Sequence, residues 1–163
     1  MLGADLYWGD FPDGAVPESV ATVRYIEDVL RACDADVVYA HAPNDTHQDH
    51  RSAARATLAA ARRVSRVLCY ESPTSERFAP AFYVDVAGFV EAKLDLIRAH
   101  LSQVLKNGLV DLDAIEALAR VRGFEGRIRH AEAFEVGRFA WDLGGPAFHE
   151  PELATISAVE VHA

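Results

Sequence analysis

The succession of strand-length and helix-length segments between Pro17 and Tyr70 constrains this chain more than any other feature. Asp36-Val37-Val38-Tyr39-Ala40 is a short apolar run, Pro43-Asn44-Asp45-Thr46-His47-Gln48-Asp49-His50 is polar, and Arg51 to Val64 is alanine-rich and of helical length. Upstream, Pro17-Glu18-Ser19 opens a helix to about Ala32, with Val20, Val23, Ile26, Leu30 and Cys33 at three-to-four-residue spacing and Arg24, Glu27, Asp28 and Arg31 largely opposite. Downstream, Arg66-Val67-Leu68-Cys69-Tyr70 is a second strand. Helices alternating with buried strands predict right-handed β-α-β connections, hence an α/β fold with a Rossmann-like parallel sheet and flanking helices. The polar loop then sits at the carboxyl end of a strand, where open α/β sheets place their ligands.

That loop carries two imidazoles and two carboxylates between Asp45 and His50. His47 and His50 are three apart, so both rings share one side if the segment turns into the following helix. Neutral imidazole suits zinc, and a carboxylate such as Asp49 orients such a ring from behind. Two histidines do not complete a catalytic zinc site, which usually has three protein ligands and a water. The plain alternative is a helix cap with solvated histidines, the common meaning of a lone His-x-x-His.

The remaining chain is read in the same way. Asp5-Leu6-Tyr7-Trp8 predicts a strand running into the turn Gly9-Asp10-Phe11-Pro12-Asp13-Gly14. Arg51, Arg55, Arg62 and Arg63 form a solvated helix face, and the polar stretch Glu71 to Arg77 is a loop suited to ligand contacts. Phe82 to Val86 is a strand. A helix follows from Gly88 to about Val104, with Phe89, Val90, Leu94, Ile97 and Leu101 as its apolar stripe and His100 at its end. Leu112 to Val121 is another helix, with Asp111 as N-cap and Gly123 as its stop. His130 to Val136 is a last strand or a covering segment, and residues 144–163 form an irregular tail.

Composition excludes several functions. The formal charge of −9 argues against nucleic acid or an anionic membrane surface as partner. No apolar stretch is long enough to span a membrane and the start lacks a secretory pattern, which predicts a cytoplasmic protein. The two cysteines, Cys33 and Cys69, have no metal-ligand spacing and read as small buried hydrophobes.

The motif of a proline, an aspartate and then His-x-Asp-His, matched by Pro43, Asp45, His47, Asp49 and His50, resembles the second motif of the PIG-L/LmbE-like zinc-dependent N-deacetylases. Leu2-Gly3-Ala4 with Phe11-Pro12-Asp13-Gly14, then Tyr83-Val84-Asp85-Val86, Lys93, His100 with Ser102-Gln103, and Ala131-Glu132-Ala133-Phe134 are similar to further family segments in order and spacing. The resemblance covers Leu2 to Val136, and residues 1–143 read as a partial LmbE-like deacetylase domain. The family's first motif, His-Pro-Asp-Asp, to which the resemblance assigns a zinc-binding His, a zinc-binding Asp and the Asp that acts as general base, has no counterpart in this sequence. Met1 falls where the family's third βα unit begins, so the fold is expected to lack its first two βα units.

The resemblance implies the chemistry. His50 would be a zinc ligand, and a zinc-activated water would attack an acetamide carbonyl. His47, oriented by Asp49, would stabilise the oxyanion or protonate the leaving amine. Asp13, Asp45, His130 and Glu132 are candidates on the substrate side, with Asp13 or Asp45 able to stand in for the missing base. The substrate would be a small acetamido sugar of the N-acetylglucosamine type or a related natural product. A sheet without its first strands would expose an apolar edge, which predicts a homo-oligomer or a complementary N-terminal segment as partner. The alternative within the same fold is a non-catalytic remnant or regulatory subunit that binds no metal. A metallophosphoesterase-like hydrolase built on His-x-x-Asp-His leaves the other matched segments as coincidence.

Overall fold

The computed structural model describes residues 3–99 and 111–141. Helix α1, Val20–Cys33, begins where Ser19 leaves extended backbone and its side chain accepts from the Thr22 N–H at 3.3 Å. It ends at Asp34, which takes the left-handed conformation at φ 48° and returns its N–H to Arg31 and Leu30. The buried positions are Thr22, Ile26 and Val29, so the apolar stripe is rotated from the expected one and Val20 lies exposed. Thr22 tolerates full burial because its hydroxyl donates to the Pro17 carbonyl at 2.6 Å.

Strand β1, Val37–His41, reaches one residue beyond the expected end. Helix α2, Gln48–Ala60, starts three residues earlier than the alanine pattern suggests and closes in a 3-10 turn, Ala61–Arg63. Strand β2, Arg66–Tyr70, lies parallel to β1, with His41 opposite Tyr70. This β1-α2-β2 unit is the crossover that the sequence predicts. Small residues hold it together: Ala56 and Ala60 pack on Ile26 of α1, and Ala61 packs with Val38 and Val67 of the sheet. Alanine lets α2 approach the strands closely, and the buried apolar area supplies most of its stability.

The other half of the sheet departs from the expectation. Strands β3, Phe82–Asp85, and β4, Ala131–Phe139, complete a four-stranded sheet in the order β1-β2-β4-β3, and β4 runs antiparallel to both neighbours. A parallel pair needs a crossover that returns the chain to the starting end. The connection through α3, Val90–Ala99, and α4, Leu112–Glu125, instead delivers β4 from the opposite end. The α/β class with flanking helices holds, and the sheet is mixed rather than parallel.

Asp5 to Trp8 is not a strand. It makes only an isolated bridge at Leu6, and Leu6 and Trp8 stay largely exposed, so its aromatic composition is not matched by a sheet position. Phe89 precedes α3 and is exposed, whereas Val90 and Leu94 carry that helix's buried face. Residues His100, Ser102 and Gln103 and the tail from 144 lie outside the described residues. Cys69 is buried as expected, its thiol pushed up to about 11 by burial and then by Glu135, while Cys33 is only half-buried. No described helix is long and apolar enough to cross a membrane.

Gly123 is not a helix stop. It sits inside α4, whose cap is Gly126, and a Cβ there would lie 2.6 Å from the Arg129 carbonyl oxygen and 2.8 Å from His130 Cα. The contact is backbone on backbone, so it has no side chain to yield. Alanine at an open helical position would gain about 1 kcal/mol over glycine. Here Gly123→Ala is expected to destabilise by about 1–3 kcal/mol through overpacking, read as a lower urea midpoint; an unchanged or higher midpoint would contradict the packing described.

Candidate metal centre and active site

The polar loop is built by its own backbone first. His47 is the N-cap of α2: it is extended at φ −75°, and its Nδ1 accepts the Asp49 N–H at 3.2 Å. Gln48, Asp49 and His50 therefore occupy the first helical turn. The rings of His47 and His50 lie 4.5 Å apart at 24°, the shared side that three-residue spacing allows.

A third ring joins them. His41, at the end of β1, stacks on His50 with centroids 3.9 Å apart and planes 8° from parallel, and packs on Tyr70 at 4.7 Å. Sequence reasoning ended the strand at Ala40 and missed it. The signal was the alternation of β1, which puts Tyr39 and His41 on one face and Val38 and Ala40, both buried, on the other. Burial lowers the His41 imidazole to about 4, with His50 adding to the effect, Asp45 opposing it and His47 contributing least. His41 is neutral near pH 7, the form that binds metals.

Asp45 lies under this stack with its side chain fully buried. Its Oδ1 accepts the His47 N–H at 2.8 Å, and its Oδ2 takes hydrogen bonds from His50 Nδ1 at 3.1 Å and from the Ser72 hydroxyl. Arg51 reaches back to the carbonyls of Asp45 and Thr46 at 2.7 and 2.6 Å, so it ties the loop rather than joining a solvated face. Arg55 and Arg62 instead pair at the surface with Glu18 and Glu27. Burial raises the Asp45 carboxyl, but hydrogen bonds from Ser72, Thr74, the His47 backbone and His50 together outweigh it and hold the group well below the usual carboxylate range. Asp45 is thus an internal anion with its side chain buried under the loop's own hydrogen bonds.

Asp49 also has a structural partner. Its carboxylate accepts the N–H groups of Gly14 at 2.7 Å and Val16 at 2.9 Å, tying the Asp13-Gly14 turn to the start of α2. The Asp49 carboxylate, expected to orient the His47 ring, points to this turn instead, and His47 Nδ1 is met by the Asp49 backbone N–H. Gly14 takes φ 76°, which side chains rarely adopt. Asp13 stands exposed beside it, and the Gln48 side-chain amide donates to the Gly14 carbonyl at 3.4 Å.

His130 and Glu132 are placed elsewhere. Glu132 forms an ion pair with Lys93 of α3 and lines a cavity of about 140 Å³ with Val90, Leu94 and Ala119. His130 is buried beside Gly123, with neither ring nitrogen hydrogen-bonded. In the loop after β2, Ser72 reaches the cluster, whereas Glu71 is held by Arg122 of α4 at 2.7 and 2.9 Å.

Among the described residues, His41, Asp45 and His50 each offer one donor atom, and these atoms lie within 4.8 Å of one another. His41 Nδ1 is buried and makes no hydrogen bond. An unpaired imidazole nitrogen beside a second imidazole and an anionic carboxylate is a donor set that fits zinc.

Two outcomes check this geometry. Asp49→Asn turns one acceptor into an N–H₂ facing a backbone N–H, which should cost about 1–3 kcal/mol and speed hydrogen exchange at Gly14 and Val16; unchanged exchange there would contradict the tether. The depressed Asp45 carboxyl contributes stability that is present above about pH 3.9, the usual aspartate value, and lost as pH falls toward its folded value. Ser72→Ala weakens that depression, so its acid-unfolding midpoint should move to higher pH than wild type.

Residues 1–61 match the sequence model of the PIG-L family, described as GlcNAc-PI de-N-acetylase. The matched span holds Asp13 and the whole cluster from His41 to His50, and leaves out His130 and Glu132. The fold is similar to that of the conserved protein TT1542 from Thermus thermophilus, with a TM-score of 0.69 and 26% identity, over 84% of this chain and 68% of that one. It is also similar to N,N'-diacetylchitobiose deacetylase from Pyrococcus horikoshii, solved with its inhibitor MPG, with a TM-score of 0.67 and 21% identity. That match covers 80% of this chain, which spans 56% of the deacetylase's length. In its motif, in its first 61 residues and in its fold, this chain is similar to the PIG-L/LmbE-like deacetylases.

Proposed function

We propose that the chain carries the site of a zinc-dependent amide hydrolase that removes an acetyl group from a small N-acetylglucosamine-type or related acetamido substrate. The observation that carries the reading is the fixed tautomer of His47. Because Nδ1 accepts the Asp49 N–H, the ring proton of the neutral form resides on Nε2. Nε2–H is then free to donate to a carbonyl oxygen as it gains charge, or to the departing amine. His50 is the residue that the resemblance makes a metal ligand, and Asp45 fixes its ring through Nδ1. Zinc bound beside these rings would supply a Lewis acid and activate water at neutral pH.

Of the carboxylates that could serve as base, Asp45 is committed to Ser72, His47 and His50, which leaves the exposed Asp13 on its tethered turn. Free cysteines support a cytoplasmic setting, where thiols stay reduced. The position of β1 at the sheet edge, with Tyr39 56% exposed, supports a second copy or a complementary segment as partner.

One observation favours the non-catalytic reading of the same fold: the acceptor Oδ2 of Asp45 is already satisfied by Ser72 and His50. Amine release from N-acetylglucosamine-type substrates separates the two. The wild-type chain with added zinc should release free amine, His47→Ala should lower kcat by about 10²–10⁴, and His50→Ala should abolish turnover. A folded chain that takes up no zinc and releases no amine would favour the non-catalytic form.

A further inference from the structure

We infer that His41 and Asp45, with His50, form a complete three-ligand set for one zinc-type divalent cation within this chain. The inference deepens the zinc-dependent reading above and rests on it. The resemblance takes its other ligands from a His-Pro-Asp-Asp motif, which this sequence does not contain.

Three observations converge on it. The donor atoms lie within 4.8 Å of one another, while a tetrahedral zinc with bonds of about 2.0–2.1 Å sets its ligands roughly 3.3 Å apart. Closing the set needs the donor atoms to come nearer by side-chain rotation. His41 Nδ1 is a buried nitrogen without a hydrogen bond, and a bound cation would give it the partner it lacks. The anchors are also firm: His41 is held in the β1–β2 ladder, His50 in the first turn of α2, and Asp45 by hydrogen bonds to the His47 backbone and Ser72.

The stacked rings set how the ion enters. An imidazole lone pair lies in the ring plane, so planes 8° apart aim the His41 and His50 nitrogens side by side rather than at one point. Binding must turn one ring out of the stack. His50 is the one to turn, because its side chain is 30% exposed, whereas His41 sits in the β1–β2 ladder and packs on Tyr70. Loading therefore breaks the His41–His50 stack and loosens the His50–Asp45 hydrogen bond.

The test is titration of the chelator-stripped chain with Co²⁺ and then Zn²⁺, followed by visible absorption and metal stoichiometry. The expected result is about one cobalt per chain in a tetrahedral spectrum, displaced by zinc. His41→Phe, Asp45→Asn and His50→Ala should each weaken binding by about 100-fold or more, beyond the 10–100-fold that loss of an outer partner costs. Phenylalanine keeps the ring that His50 stacks on; should a variant still fail to fold, long-range ¹H–¹⁵N spectra of the wild-type histidines decide, with His41 Nδ1 shifting on zinc addition. A folded wild type that binds no cobalt, a His41→Phe variant that binds like wild type, or an unmoved His41 resonance overturns the inference. Cobalt binding with this ligand dependence but no amine release from acetamido sugars would instead overturn the deacetylase reading and leave the metal set standing.

Discussion

The hydrogen bonds to the Asp45 carboxylate are what the site depends on. Removing a carboxylate from water costs several kcal/mol unless its oxygens are paired, and this side chain has no exposed surface. Its partners come from separate pieces of chain: the His47 N–H opens α2, His50 Nδ1 lies one turn on, and Ser72 Oγ belongs to the loop after β2. Hydrogen bonds to a charged group are worth about 1.5–3 kcal/mol each, so the buried anion holds these pieces in register only while all are present. The neighbouring loop contacts, Thr46 N–H to Thr74 O at 2.9 Å and Glu76 N–H to Asn44 O at 2.6 Å, extend the same seam.

Two aspartates four residues apart thus do opposite things for one pair of imidazoles. Asp45 faces inward and positions His50. Asp49 faces the Asp13-Gly14 turn and leaves His47 to be oriented by a backbone N–H. Asp49 is architecture, whereas Asp45 both holds the loop and lies within reach of a cation shared with His41 and His50. A backbone N–H donating to Nδ1 occupies that edge of the His47 ring and leaves the Nε2 edge to face outward chemistry.

The sequence made the β1-α2-β2 unit legible because hydrophobic periodicity and the polar interruption agree there. It made the pairing of His47 with His50 legible because helical spacing alone decides it. His41 escaped because a strand boundary is weakly encoded: one residue beyond Ala40 separates a loop histidine from one stacked in the cluster. The antiparallel half of the sheet escaped because the direction of β4 depends on where α3 and α4 deliver it, which no local pattern records. Gly123 shows the same limit in reverse. Glycine after a helical run signals a stop by its conformational freedom, yet here it answers to the backbone of Arg129 and His130, six and seven residues on. Distant contacts reassign residues whose local signal is correct for another context.

The strand that carries His41 is the edge strand of the described sheet, with hydrogen-bond support from β2 on one side only. An edge position is a weak place from which to hold a ring to within tenths of an ångström. The chain compensates perpendicular to the sheet. Ala54, Ala56 and Ala60 bring α2 down onto α1 and the sheet, and α2 in turn presses His50 against His41, which also packs on Tyr70 of the neighbouring strand. Larger side chains at those alanines would lift α2 and separate the stack without touching a histidine. The alanine-rich composition of α2, which by itself reads as simple helix propensity, is therefore what places the imidazoles in contact.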